Sequence, residues 1–170
     1  MAHSFYLSVK GTKQGQFKGE GVVAARKDKW QEGLSYFHEI KSPRDIATGQ
    51  ASGKRQHGAI TITKEWGAST PQYFTALCTN EVLPEVNFEF LRTNANGEEY
   101  VYTKIKLTNA TVSNVKYSTG GAGTEGGSSS RHTSANDTLE LETLSFTYQK
   151  FEFENVDGKT MGMDDWTLGK

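Results

Sequence analysis

The side chains able to do chemistry are few, and their spacing does not gather them. The chain has one cysteine, Cys78, and four histidines, His3, His38, His57 and His132. A thiol nucleophile needs a base within hydrogen-bond reach, which would pair Cys78 with His57 or His38. Nothing local supports that pairing, and Cys78 falls on an apolar stripe with Phe74, so it reads as a small buried hydrophobe. The histidines lack metal-ligand spacing, and no two stand at i, i+4 on a helix. His38 reads as a structural strand residue, and His57, beside Lys54 and Arg55, as a solvated loop residue.

Glu140 with Glu142, and Glu152 with Glu154, are carboxylate pairs at i, i+2, each pointing from one strand face. Two carboxylates serve glycoside hydrolysis only across a cleft; here they read as acidic solvent-facing strands. Gly121, Gly123 and Gly126 spell G-x-G-x-x-G, but a dinucleotide site requires a helix next, and Gly127-Ser128-Ser129-Ser130-Arg131 has loop composition. No Walker sequence occurs. Trp30, Trp66 and Trp166 would make a carbohydrate platform only if gathered; scattered between elements, they read as core or interface packing. Asn109-Ala110-Thr111 and Asn136-Asp137-Thr138 match the glycosylation pattern without a secretory signal ahead of them. The expectation is a protein with no catalytic, metal or cofactor site.

The elements that position these residues are mostly strands. Phe5, Leu7 and Val9 alternate with polar neighbours, as do Ile60 and Ile62, Val86, Phe88 and Phe90, and Val101, Thr103, Ile105 and Leu107. Leu139 and Leu141 alternate with Glu140 and Glu142. Such period-two runs, rich in Thr, Val and aromatics, are half-buried antiparallel strands. Asn94-Ala95-Asn96-Gly97 marks a hairpin. Leu144, Phe146 and Tyr148 share a face that Phe151 and Phe153 leave, which requires a bulge near Gln149 or Lys150, or a strand that changes sheets. Ser69 and Thr70 as caps, Pro71 in the first turn, and Tyr73, Phe74, Leu77 and Cys78 at helical spacing predict one helix over about 71–79. A single helix among many strands covers an open face or end of a barrel.

Two stretches have loop composition. Residues 41–58 hold Lys41, Arg44, Lys54 and Arg55 against Asp45, a net +3, and residues 119–138 hold 13 Gly, Ser or Thr in 20 positions. Loops of that length in a folded domain are functional or disordered. Residues 137–154 carry Asp137, Glu140, Glu142, Glu152 and Glu154 against Lys150, a net −4. Opposite fields at two places on one chain favour head-to-tail encounter between copies, with Ile46 adding apolar area. These residues are the candidate subunit or ring interface.

With 170 residues and 18.8 kDa, the chain fits a single domain, 1–170. Its apolar fraction of 35% lies below the roughly 45–50% of soluble domains. Mean hydropathy is −0.63, while net charge is only −1. A thin core under two wet faces accounts for that balance. No basic face points to nucleic acid, no apolar run suits a membrane span, and the first residues do not form a secretory signal, so synthesis in the cytoplasm is the expectation.

The order of these features resembles the haemolysin-coregulated protein (Hcp) family, the tube subunit of bacterial type VI secretion systems. The most specific stretches are Gly58-Ala-Ile-Thr-Ile-Thr-Lys64, then Ala68-Ser-Thr-Pro-Gln-Tyr73 opening the helix, then Leu83-Pro-Glu-Val86. Gly49-Gln-Ala-Ser-Gly-Lys-Arg55 is similar to the family's extended loop, Glu99-Tyr-Val-Tyr102 and Val112-Ser-Asn-Val115 to its central strands, and Leu144-Ser-Phe-Thr-Tyr148 with Asp165-Trp166 to its last strand and tail. The resemblance implies a mainly β fold: an antiparallel barrel of two packed sheets, one short helix and a long extended loop at 41–58. It also implies a non-enzymatic subunit without cofactor. Such a subunit forms hexameric rings that stack into a tube, carries effectors in its lumen, meets sheath and spike proteins, and leaves the cytoplasm through the secretion apparatus. The rival reading is a monomeric β-barrel or sandwich that binds carbohydrate or oligonucleotide.

Overall fold

Alternation along the strands decides the architecture, because each strand must bury one face. The computed structural model describes residues 5–20, 26, 28–119 and 140–168. The glycine motif at 121–126, the sequon at Asn136, Asp137, His3 and His132 lie outside them.

The chain runs β1 (Phe5–Gly11), β2 (Gly15–Gln16), β3 (Gln31–Gly33), β4 (Ser35–Phe37), β5 (Ile40–Lys41), β6 (Gln56–His57), β7 (Ile60–Glu65), α1 (Thr70–Thr79), β8 (Leu83–Thr93), β9 (Glu99–Ser118), β10 (Leu141–Thr147), β11 (Lys150–Asn155) and β12 (Thr160–Asp165). All pairings among these strands are antiparallel, and the main path is β2-β1-β8-β9-β10-β7-β4. The path closes on itself. Only Leu34 separates β3 from β4; β3 pairs with β1 at Phe5–Gly33, while β4 pairs with β7 at Ser35–Thr63. The wall is therefore a circuit β1-β8-β9-β10-β7-β4/β3-β1, which buries its strand edges as barrels do.

β9, at 20 residues, is the spine. One edge carries β8; along the other, β11 pairs over Thr103–Thr108 and β10 over Thr111–Ser118, end to end. Asn109 between them takes a left-handed conformation, φ 51°, and its amide donates to the Gln149 side chain at 2.9 Å. Asparagine tolerates that region better than most residues. This break is the phase slip between Tyr148 and Phe151 seen in the sequence. It lets β11 and β12 extend the β8–β9 sheet beyond the barrel.

Leu7, Val9, Ile62, Phe88, Leu107 and Phe146 are fully buried in the interior. The helix covers one end. Pro71 stands in its first turn and Asn80 ends it in the left-handed conformation, where its N–H reaches the Leu77 carbonyl. Ser69 does not cap through its side chain; its N–H and hydroxyl donate instead to Glu20 Oε1, at 2.9 and 2.5 Å. Tyr73 and Ala76 are buried, with Tyr73 edge-on to Phe17 and donating to Gln31. The predicted stripe is thus rotated: Phe74 and Cys78 are exposed. Successive helical residues turn about 100°, so seating Tyr73 in the core carries Phe74 and Cys78 outward. Cys78 is not a packing residue. Cys78→Ala should change unfolding free energy by no more than about 0.5 kcal/mol in urea titration, and the native thiol should react with an aromatic disulfide reagent without denaturant.

Candidate functional site

Residues 41–58 form an arm with its own structure. Ile40 and Lys41 pair with His57 and Gln56, and Arg44 bridges to Ala51. Asp45 shapes the tip: its Oδ1 accepts from the N–H groups of Ala47 and Thr48 at 2.7 and 3.1 Å, while Gly49 turns the chain at φ 71°. This tip holds Ile46 entirely in solvent, at 104% of its reference exposure. Burying one such side chain contributes roughly 1.5–3 kcal/mol, so the tip is the most strongly apolar projection on the arm.

The arm's charges are not equivalent. Lys41 pairs with Glu39 at 3.3 Å on the surface. Arg55 pairs with Asp164 of β12 and donates to the Asp165 carbonyl at 3.2 Å. Its charge is engaged within the subunit. Arg44 and Lys54 remain exposed along the arm.

At the arm's base, a row of polar groups ties it to the barrel. Tyr148 Oη lies 2.7 Å from His38 Nε2 and 2.7 Å from His57 Nδ1, and His57 Nε2 lies 2.7 Å from Asp164 Oδ2. The His57 side chain is only 3% exposed and lies against Trp166, correcting the expectation of a solvated residue. Burial and the neighbouring His57 push His38 below its ordinary range, and burial, then Asp164, pushes the Tyr148 phenol up. The Asp164 carboxyl is held low by its Arg55 and His57 hydrogen bonds. Sequence offered little toward this row, since 107 residues separate His57 from Asp164 and 110 separate His38 from Tyr148.

The acidic candidates divide. Glu140 and Glu154 are exposed. Glu152 pairs with Lys150 at 3.3 Å. Across the β9–β11 pairing, Glu152 stands opposite Lys106 and Glu154 opposite Lys104, which makes a charge-compensated row rather than a pair of hydrolytic carboxylates. Glu142 departs most from expectation: it is fully buried, its Oε1 2.5 Å from the equally buried Lys64 Nζ. It is not a solvent-facing residue. Glu142 shares its face of β10 with Leu144 and Phe146, and Lys64 shares its face of β7 with Ile60 and Ile62, so period two carries both inward. That phase was readable in the sequence.

Acid at the barrel's other end comes from elsewhere. β7 runs from the arm to the helix, a six-residue strand spanning about 20 Å. Where it ends, Glu20, Glu32 and Glu65 line a cleft with Leu34, Trp66 and Gly67. Glu20 is engaged by Lys64 and Ser69; Glu32 and Glu65 are exposed. The tryptophans do not form one platform. Trp66 donates to the Leu141 carbonyl near the helix end, Trp166 sits at the arm, and Trp30 lies under the Arg26 guanidinium. Among the described residues, no cluster of three His, Cys, Asp or Glu side chains could hold a metal ion.

The elements together define a mainly β protein, an antiparallel barrel with one helix and an extended arm. Comparisons with known proteins give the family. The model described as "Type VI secretion system effector, Hcp" matches residues 6–154, and the chain belongs to that family. It is 31% identical over 175 residues to a "Major exported protein" of Pseudomonas aeruginosa, covering 98% of this chain and 96% of the relative. A crystal structure of an Hcp protein superposes with a TM-score of 0.82 at 25% identity, over 97% of this chain and 100% of the other. An E. coli Hcp structure does so at 0.80 and 25% identity, over 97% and 99%.

Proposed function

We propose that this chain is the subunit of a tube. Six copies close into a ring, rings stack head to tail, and the tube carries effectors in its lumen and is itself exported by the secretion apparatus, where sheath and spike proteins are its further partners. No catalytic step is part of this function. The observation that carries the reading is the two-ended subunit: the Ile46 tip and the exposed Arg44 and Lys54 project at one end of β7, and the cleft of Glu32, Glu65, Leu34 and Trp66 opens at the other. A contact between unlike ends of identical copies cannot pair off by a two-fold axis and so propagates as a ring or filament. Glu140 and Glu154, both exposed, are available to neighbours within the ring, whereas Glu152 is engaged by Lys150 and Glu142 is buried.

Native mass spectrometry tests this directly. The expected species has six times the 18.8 kDa subunit mass, and negative-stain images should show rings. A monomer at tens of micromolar would overturn the proposal and favour a barrel that binds carbohydrate or oligonucleotide, to be tested by titration with each.

A further inference from the structure

One phenol oxygen joins three parts of the chain. Tyr148 lies buried where β10 gives way to β11, His38 stands between β4 and β5, His57 lies on β6 at the arm's base, and Asp164 lies on β12. Every link in the row His38–Tyr148–His57–Asp164 measures 2.7 Å.

Counting protons shows what the row tolerates. A phenol has one O–H to donate, and an imidazole bonded through both nitrogens donates from one when neutral and from both when charged. With both rings neutral, His57 Nε2–H donates to Asp164, Tyr148 donates to His57 Nδ1, and His38 Nε2–H donates to Tyr148. One added proton fits: His57 then donates from both nitrogens, His38 takes the tautomer protonated at Nδ1, and the phenol turns to donate to His38 Nε2. A second does not. Both rings would donate to the same oxygen, the phenol proton would have no acceptor in the row, and two imidazolium charges plus Arg55 would face one Asp164 carboxylate.

We propose that this row is a proton-operated latch, which holds the arm to the barrel and the C-terminal hairpin while the two imidazoles share at most one proton and releases it when both are charged. The other charged groups nearby do not relieve the second charge. Asp165 is occupied by Gln149 and Thr167, Glu39 by Lys41, and Glu152 by Lys150. The rings of Phe151 and Trp166 pack beside His38 and His57. Burial and His57 already disfavour a charge on His38. A histidine lowered in the closed state binds fewer protons there than in the open state, so the latch is firm at neutral pH and weakens as pH falls below about 6.5. Once it opens, the arm keeps the Arg55 bonds to Asp164 and to the Asp165 carbonyl, partly exposed and weak, and a two-stranded ribbon that is marginal by itself.

Hydrogen–deuterium exchange on the full chain, at about pH 7.5 and about pH 5.0 on either side of histidine titration, reads the arm directly. After correction for intrinsic rates, protection at Asp45, Gly49, Ser52 and Gly58 should fall about tenfold at the lower pH while β8 and β9 keep theirs. Tyr148→Phe should leave the arm poorly protected at both. His38→Gln, whose amide donates to the phenol but takes no proton, should keep the arm protected at the lower pH. An arm equally protected at both pH values in the native protein, an equal loss in His38→Gln, or a loss shared by β8 and β9 would overturn the latch. His38→Gln carries the test should Tyr148→Phe not fold. Mass recorded alongside separates arm release from any change in assembly, so the latch stands or falls independently of the ring.

Discussion

Lys64→Met should destabilise the subunit by about 3–5 kcal/mol, the cost of removing one partner from a buried ion pair. Lys64 Nζ stands 2.5 Å from Glu142 Oε1 and 3.3 Å from Glu20 Oε2, and donates to the Glu65 carbonyl at 3.0 Å. Neither Lys64 nor Glu142 reaches solvent. Against a typical total stability of about 5–15 kcal/mol, that is a large share, and the urea midpoint should fall accordingly. The double variant Lys64→Met, Glu142→Leu should recover much of the loss, because an apolar pair of similar volume has no stranded carboxylate to desolvate. The cycle of single and double variants isolates the coupling.

pH gives a second reading of the same pair. Burial raises the Glu142 carboxyl above its ordinary range, against the Lys64 hydrogen bond and charge and a Thr70 hydrogen bond, which lower it. Without Lys64 it should rise further. A carboxyl raised in the folded state favours the fold while protonated and loses that advantage as pH climbs past the unfolded value and through the folded one. The single variant should therefore be more stable near pH 5 than near pH 8. An unchanged midpoint at both pH values would show that the pair carries no such coupling.

The strands and helix were legible because they follow local periodicity. Ile60 and Ile62, and Val86 and Phe88, are buried on alternate positions as expected, and Phe90 is half-buried. β1 buries Tyr6 and Ser8 as well as Phe5, Leu7 and Val9, and the helix over 71–79 is the observed Thr70–Thr79. The Asn94–Gly97 turn joins β8 to β9, with Gly97 at φ 81°. What failed was the rule that charge faces water. It sent Glu142 outward against the phase of its own strand, and the apolar type of Cys78 sent it inward against the rotation imposed by Tyr73. Both were errors of phase. The alternation of Leu139 and Leu141 pointed to the opposite face of β10 from the buried Glu142, Leu144 and Phe146, and the spacing of Phe74 and Cys78 to the wrong side of the helix. The row at Tyr148 is a different case, since its members are brought together only by the barrel's closure and the return of β12 to the arm. The arm itself was visible as a charged, glycine-bearing stretch, but not the fact that Arg55 is tied to Asp164. Nor could composition reveal that the acid opposite the arm comes from Glu32 and Glu65.

Those placements shape the substitution with the greatest expected effect on assembly, Ile46→Asp. The side chain touches nothing within its own subunit's core, so stability should change by no more than about 0.5 kcal/mol. In the proposed stack its burial contributes roughly 1.5–3 kcal/mol at each contact, and the contact recurs at every subunit around a ring. An aspartate there loses that burial and meets Glu32 and Glu65 with like charge. Ring closure should survive while stacking fails, so light scattering should show the hexamer mass without longer species under conditions where the native protein extends. Arg44→Glu with Lys54→Glu should act differently. Exposed pairs contribute only about 0–1 kcal/mol each, and such charges steer encounter more than they set affinity, so this variant should slow stacking rather than abolish it. The deficit should shrink with added salt, as screening shortens the reach of charge to about 8 Å at physiological ionic strength and less above it. Arg55 is left in place because its loss would also break its own pair with Asp164. Stacking of Ile46→Asp at the native rate and extent would place the contact somewhere other than the arm's tip.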